Sequence, residues 1–105
     1  EVVISGQCLE HSFYPVELCR EMGRVLRPGG PICLIAPWEW PVHRHPVDCW
    51  RILPDGMQVL LREANCDLFT CWIDEKDCVG IGFKRYNSLA ELENLKRSGL
   101  VGNIL

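Results

Sequence analysis

Two short apolar runs bracket one amphipathic stretch, and their spacing leaves few architectures open. Val2-Val3-Ile4-Ser5 leads into Gly6-Gln7-Cys8-Leu9-Glu10-His11. From Pro15, a residue suited to a helix first turn, Val16, Cys19, Met22, Val25 and Leu26 then recur at helical spacing. Glu17, Arg20, Glu21 and Arg24 fall on the opposite side. Pro28-Gly29-Gly30 stops the helix, since proline cannot continue it and glycine accepts a positive φ. Ile32-Cys33-Leu34-Ile35-Ala36 follows as a second strand. Strand, helix and strand at this spacing predict a right-handed crossover joining parallel strands. The first run suits a central strand buried on both faces. A polar cluster of Gln7, Glu10 and His11 comes just past its carboxyl end, where ligands bind in parallel α/β sheets.

Residues 37–53 read differently. Pro37, Pro41 and Pro46 alternate with Trp38, Trp40 and Trp50 and with His43, His45, Asp48 and Arg51. Proline at this density disfavours both helix and ladder, so the segment is expected to be a long rigid loop of the kind that carries function. Pro54-Asp55-Gly56 opens a helix with Met57, Leu60, Leu61 and Ala64 on one face, ending near Asn65. Residues 68–73 and 78–83 read as strands joined by Asp74-Glu75-Lys76-Asp77, a polar connection that predicts an antiparallel hairpin. Ser88-Leu89-Ala90-Glu91 is a capping-box signature for a last helix over 88–99, ended by Gly99.

The 105 residues suffice for one domain, and the net charge of −3 comes without a basic cluster. Electrostatic binding to nucleic acid or to a membrane surface is therefore not expected. No apolar run approaches the roughly 20 residues of a spanning helix, and no signal-peptide pattern opens the chain. The seven cysteines are odd in number and form no Cys-x-x-Cys pair. They suit free thiols in a reduced, cytoplasmic protein, with Cys19 and Cys33 acting as small hydrophobes. The chain opens on Glu1 and enters its first strand at once. This reads as the latter part of a longer protein or as a truncated gene product.

The order β-α-β-loop-α-β-β, with Val-Ile-Ser…Leu-Glu-His, Arg-Val-Leu-Arg-Pro-Gly-Gly and a closing hairpin, resembles the second half of a class I S-adenosylmethionine-dependent methyltransferase. The type 11 small-molecule enzymes are the nearest in pattern. The resemblance covers residues 1–84. It implies a partial Rossmann-like α/β fold, a mostly parallel sheet ending in an antiparallel hairpin. Residues 1–105 then form the C-terminal half of a methyltransferase domain. Pro46-Val47-Asp48-Cys49-Trp50-Arg51 and Pro54-Asp55-Gly56 resemble a stretch lying over the active-site mouth in some bacterial members. The glycine-rich turn and the ribose-holding acidic residue of that family are missing, and Gly80-Ile81-Gly82, inside a hairpin strand, does not replace them. The chain is thus expected to be inactive alone. Val2-Val3-Ile4 becomes an apolar edge, expected to be covered in a homodimer or by a partner chain.

The resemblance assigns Ser5, Gly6 and Gln7 to the methionine part of S-adenosylmethionine; the alternative is a plain strand-ending turn, to which Gly6 alone would be sufficient. It assigns Glu10 and His11 to catalysis, with His11 as a base towards the hydroxyl of a small-molecule acceptor. The alternative is that the pair caps or precedes the following helix. Some methyltransferases hold a divalent metal through Glu-x-x-Glu-His; here Gln7 takes the first place, a weaker neutral ligand, and no metal is assigned. His43-Arg44-His45 with Cys49 lacks a fourth zinc ligand at regular spacing. Trp38, His43, His45, Trp50 and Arg51 are the candidate acceptor-binding residues. Trp38, Trp40 and Trp50 equally suit wedges between loop and sheet, and Asp48 with Arg51 reads as a loop-fixing ion pair. The second function class is a non-catalytic half-domain that self-associates.

Overall fold

The structure, a computed structural model, describes residues 2–86. The capping-box helix expected over 88–99 lies outside them. The elements run β1 (Val3–Gly6), a 3-10 turn (Leu9–His11), α1 (Pro15–Val25), β2 (Pro31–Pro37), α2 (Pro54–Glu63), β3 (Cys66–Asp74) and β4 (Asp77–Lys84). The order expected from sequence therefore holds. The hairpin is tighter than expected, since only Glu75 and Lys76 separate its strands. Glu75 takes the positive φ of 55° that so short a turn needs.

The sheet order is β1-β2-β4-β3. β1 and β2 are parallel, with Val3 opposite Ile32 and Gly6 opposite Ile35. β4 runs antiparallel to both β2 and β3. Among the described residues the sheet is mixed, parallel between β1 and β2 and closed by the antiparallel hairpin, as the expected α/β fold has it. β1 departs from the expectation of a strand buried on both faces. It lies at the sheet edge, where Ile4 is 69% exposed and Val2 54%. Apolar β-branched residues signal a strand, and only its neighbours decide whether that strand is central.

Both helices serve one face. Ile32, Leu34 and Ala36 of β2 point into a core that also holds Leu9, Cys19, Leu26, Met57, Leu60, Leu61 and Cys66. The helices approach closely because Gly23 of α1 lies against Ala64, just past α2. A Cβ built at Gly23 would stand 2.0 Å from the Ala64 carbonyl oxygen. After α1 the chain turns through Gly29 at φ 81°, and the Lys84 ammonium donates to the Leu26 carbonyl at 2.6 Å. A cation at this helix end satisfies a carbonyl that has no partner within the helix.

The register places Ile4, Cys33 and Ile81 in one row on the opposite face, with Pro31 beside Phe83 at its margin. Phe69 meets Phe83 edge to face at a centroid distance of 5.7 Å. Among the described residues no helix lies on this face. None of the helices among the described residues is long and apolar enough to cross a membrane.

Candidate functional site

The site begins where β1 ends. Gln7 follows Gly6 with φ 54°, a left-handed conformation that side chains other than glycine adopt rarely. The sequence pointed to Gly6 as the residue that makes this turn, but the positive φ falls on Gln7. Its backbone N–H still donates to the Ile35 carbonyl at 3.0 Å, so the turn stays attached to β2. Its side-chain amide donates to Asp77 Oδ1 at 2.9 Å, across the sheet at the start of β4. That bond directs the Gln7 side chain towards β4 and gives it a partner no local spacing announces.

The 3-10 turn then carries Glu10 inward and leaves His11 partly buried. The long loop folds back over this turn and is fastened to it. The Glu10 carbonyl accepts from Cys49 N–H at 2.7 Å and from Trp50 N–H at 3.1 Å. The Trp50 indole N–H donates to the Ser12 carbonyl at 2.7 Å. His11 Nδ1 lies 2.5 Å from the Val47 carbonyl. A carbonyl only accepts, so Nδ1 must carry the hydrogen and donate it. Farther along, Ile52 N–H donates to the Pro37 carbonyl and closes the base of the loop.

Within the loop, Asp48 and Arg51 form a bidentate pair, Oδ1 to Nη1 at 2.7 Å and Oδ2 to Nη2 at 2.8 Å. This is the loop-fixing pair expected from sequence. The Arg51 guanidinium holds the Asp48 carboxyl well below the usual carboxylate range, helped by the His43 backbone N–H. Arg51 also donates to the carbonyls of Trp40, Pro41 and Trp50. Such a fork holds a loop better than a point charge does. The Trp38 indole N–H donates to the Glu75 carbonyl, tying the loop to the hairpin turn. Trp38 and Trp50 therefore both hold the loop through their indole N–H groups, while Trp50 keeps 45% of its surface exposed.

The loop brings His43 to the Glu-His pair. The His43 and His11 rings meet edge to face with centroids 4.8 Å apart. His11 Nε2 lies 3.7 Å from Glu10 Oε2, an ion-pair distance too long for a hydrogen bond. One ligand atom each from Glu10, His11 and His43 lie within 4.8 Å of one another. Glu10 is fully buried, and neither carboxylate oxygen has a hydrogen-bond partner. A buried carboxyl without a donor costs about 1–3 kcal/mol or more. His45 stays outside this group on the exposed loop, its ring 6.2 Å from that of His43. Beside His43 opens a hollow of about 350 Å³ lined also by Gln7, Trp40 and Asp77. A larger hollow of about 510 Å³ follows residues 51–56 and includes none of the Glu10, His11 and His43 group.

Sequence reasoning placed Gln7, Glu10 and His11 at one strand end, and the structure does bring them there. It missed that His43 joins them and that Asp77 holds Gln7. These pairings span 32 and 70 residues in sequence, between His11 and His43 and between Gln7 and Asp77. Only the density of histidine and tryptophan in the loop could have hinted at them.

No family model matches the chain, and none of the curated proteins searched does. Solved structures do. A chain of the Haloferax volcanii complex between the Trm112 methyltransferase activator and its candidate methyltransferase superposes with a TM-score of 0.67 at 17% identity. An O-methyltransferase family protein from Burkholderia thailandensis superposes at 0.62 and 13%. The chain shares the methyltransferase fold. Each match covers 83% of this chain, which spans 54% of the first structure and 31% of the second.

Proposed function

We propose that this chain is the substrate-side half of an S-adenosylmethionine-dependent methyltransferase of the type 11 kind, transferring a methyl group to an oxygen or nitrogen of a small acceptor. The observation that carries the proposal is the gathering of Glu10, His11 and the 38–53 loop at the carboxyl end of β1, on a sheet shared with methyltransferase structures. In this reading Ser5, Gly6 and Gln7 face the methionine part of the cofactor. The left-handed turn at Gln7 supports it, since strained backbone concentrates where a ligand is received. His11 takes the acceptor proton through Nε2, the nitrogen left free by the bond to Val47. Trp38, His43, His45, Trp50 and Arg51 shape the acceptor side, with Trp38, Trp50 and Arg51 setting the loop on which the histidines are carried. Transfer itself needs chiefly in-line placement of donor methyl and acceptor.

The glycine-rich turn of the family is not in this sequence, so the reading assigns the other half of the cofactor site to a further segment or chain. Calorimetric titration with S-adenosylmethionine tests this. Micromolar binding that is lost in Gln7→Pro supports a cofactor site that this chain completes by itself. No heat at millimolar cofactor overturns autonomous catalysis.

A second reading is favoured by a separate observation, the exposed apolar edge at Val2 and Ile4. Here the chain is a non-catalytic half-domain that pairs with a second copy or with another protein through β1. The Haloferax volcanii structure was solved with an activator protein, which makes a heterologous partner as natural a choice as a symmetric one. Sedimentation showing a stable monomer at micromolar concentration would sink self-association.

A further inference from the structure

We propose that Glu10, His11 and His43 form a binding site for a divalent transition-metal ion of the zinc type, with its remaining positions open to the hollow beside Gln7 and Trp40. The donor set is two imidazoles and one carboxylate, which suits borderline cations and leaves room for a water or a substrate oxygen.

The carboxylate is the first reason. Glu10 is fully buried, has no hydrogen-bond donor for either oxygen, and comes within 3.7 Å of His11 Nε2. The tautomers are the second. His11 gives its Nδ1 hydrogen to the Val47 carbonyl, so Nε2 turns a lone pair towards Glu10. His43 Nδ1 faces two acceptors, the Pro41 carbonyl at 3.4 Å and Asp48 Oδ2 at 3.5 Å. The proposed site places its hydrogen there, which leaves the other nitrogen with a lone pair for the ion. Two lone pairs and a carboxylate drawn together repel one another unless a proton or a metal ion sits among them, and the 3.7 Å between His11 Nε2 and Glu10 Oε2 is too long for a shared proton. Imidazoles that ligate metals commonly give their second N–H to a carbonyl or carboxylate, as both of these do.

Arg51 is the nearby charge to be reckoned with, since Glu10 helps to raise its pKa after the larger effect of Asp48. Its hydrogens are committed to Asp48 and to loop carbonyls, which leaves Glu10 unanswered. The spacing fits with a small closure. Ligand atoms about 2.1 Å from a tetrahedral ion stand roughly 3.4 Å apart, against the 4.8 Å limit that holds here. A rotation of the half-exposed, loop-borne His43 ring accounts for that difference. The third ligand comes from the loop, whereas Gln7, the position suggested by the sequence pattern, is turned away to Asp77.

The test is titration of the full chain with cobalt(II), followed by visible absorption, and then displacement by zinc. One cobalt per chain is expected, with the spectrum of nitrogen and oxygen ligation and no thiolate charge-transfer band. His43→Ala should weaken binding by more than about 100-fold, beyond the loss typical of an outer-shell partner. Glu10→Gln should do the same, and circular dichroism checks that it folds; His43→Ala stands alone if it does not. Cys8→Ser/Cys49→Ser should bind as the parent does. No stoichiometric binding, binding unmoved by His43→Ala, or a thiolate spectrum overturns the site. A metal bound here takes the His11 Nε2 lone pair, so in the methyl transfer proposed above, on which any such use rests, the acceptor proton would go to a base other than His11; the titration itself contains no S-adenosylmethionine. The metal site can therefore fail while cofactor binding stands, and the reverse.

Discussion

On the helix side of the sheet, Ile32, Leu34 and Ala36 of β2 are fully buried, while Cys33 and Ile35 between them keep contact with solvent. The same strand supplies both faces with residues of similar apolarity. Among the described residues, what separates them is the presence of α1 and α2 on one side. Burial here is set by what the chain lays over a strand, and the strand's composition would suit cover on both sides. The second face, with Ile4, Phe69, Trp72 and Phe83 each at least two-fifths exposed, is a larger apolar surface than scattered side chains would make.

The contrast can be broken most sharply in the core. Leu34→Ala removes a fully buried side chain from the helix side and should cost about 2–5 kcal/mol in chemical denaturation. A loss near zero would mean that the helices do not seal that face. Gly23→Ala tests how the seal is made, because its methyl would meet the Ala64 carbonyl. The expected loss is about 1–3 kcal/mol, read as a lower thermal midpoint, from pushing α1 off α2. Phe83→Ser on the other face should change unfolding by no more than about 0.5 kcal/mol. If the chain self-associates through this face, and not through the β1 edge alone, the substitution should weaken that association in sedimentation. A cost as large as that of Leu34→Ala would show that the face is already covered.

The smallest effect is chemical. Burial pushes the Cys19 thiol up to about 12, with further repulsion from Cys66 and Cys8. Burial also raises Cys33, on the open face. A raised thiol contributes to stability below its ordinary value of 9.0, and that contribution is lost as pH climbs through about 12. In mildly alkaline buffer, mass spectrometry after alkylation should find Cys33 modified at least about tenfold faster than Cys19. Equal rates would erase the distinction between the faces.

Much of this was legible in the chain itself. Val16, Cys19, Met22, Val25 and Leu26 marked the amphipathic α1, and Pro28-Gly29-Gly30 marked its end. Asp48 and Arg51, three residues apart, announced their ion pair because a short spacing limits where their side chains go. The residues of β1 do not reveal its edge position, since Val-Val-Ile reads alike in a central and an outer strand; the expectation of an edge came from the resemblance, through the strands it lacks. His43 was hidden for another reason. Its neighbour His11 is reached only after the loop folds back through the Glu10 and Val47 carbonyls, and backbone acceptors leave no trace in residue type.

The place of β4 between β2 and β3 has a consequence for how the molecule is made. β3 and β4 are adjacent in sequence and can pair as soon as both leave the ribosome. β2, emerging earlier, waits for β4, which reaches it from Asp77 opposite Pro37 to Phe83 opposite Pro31. Synthesis therefore delivers β1 and β2 before the hairpin, and the described sheet is complete only when the hairpin docks against β2. Between those moments the inner edge of β2 is open, and a nascent chain from a neighbouring ribosome offers it the same strand.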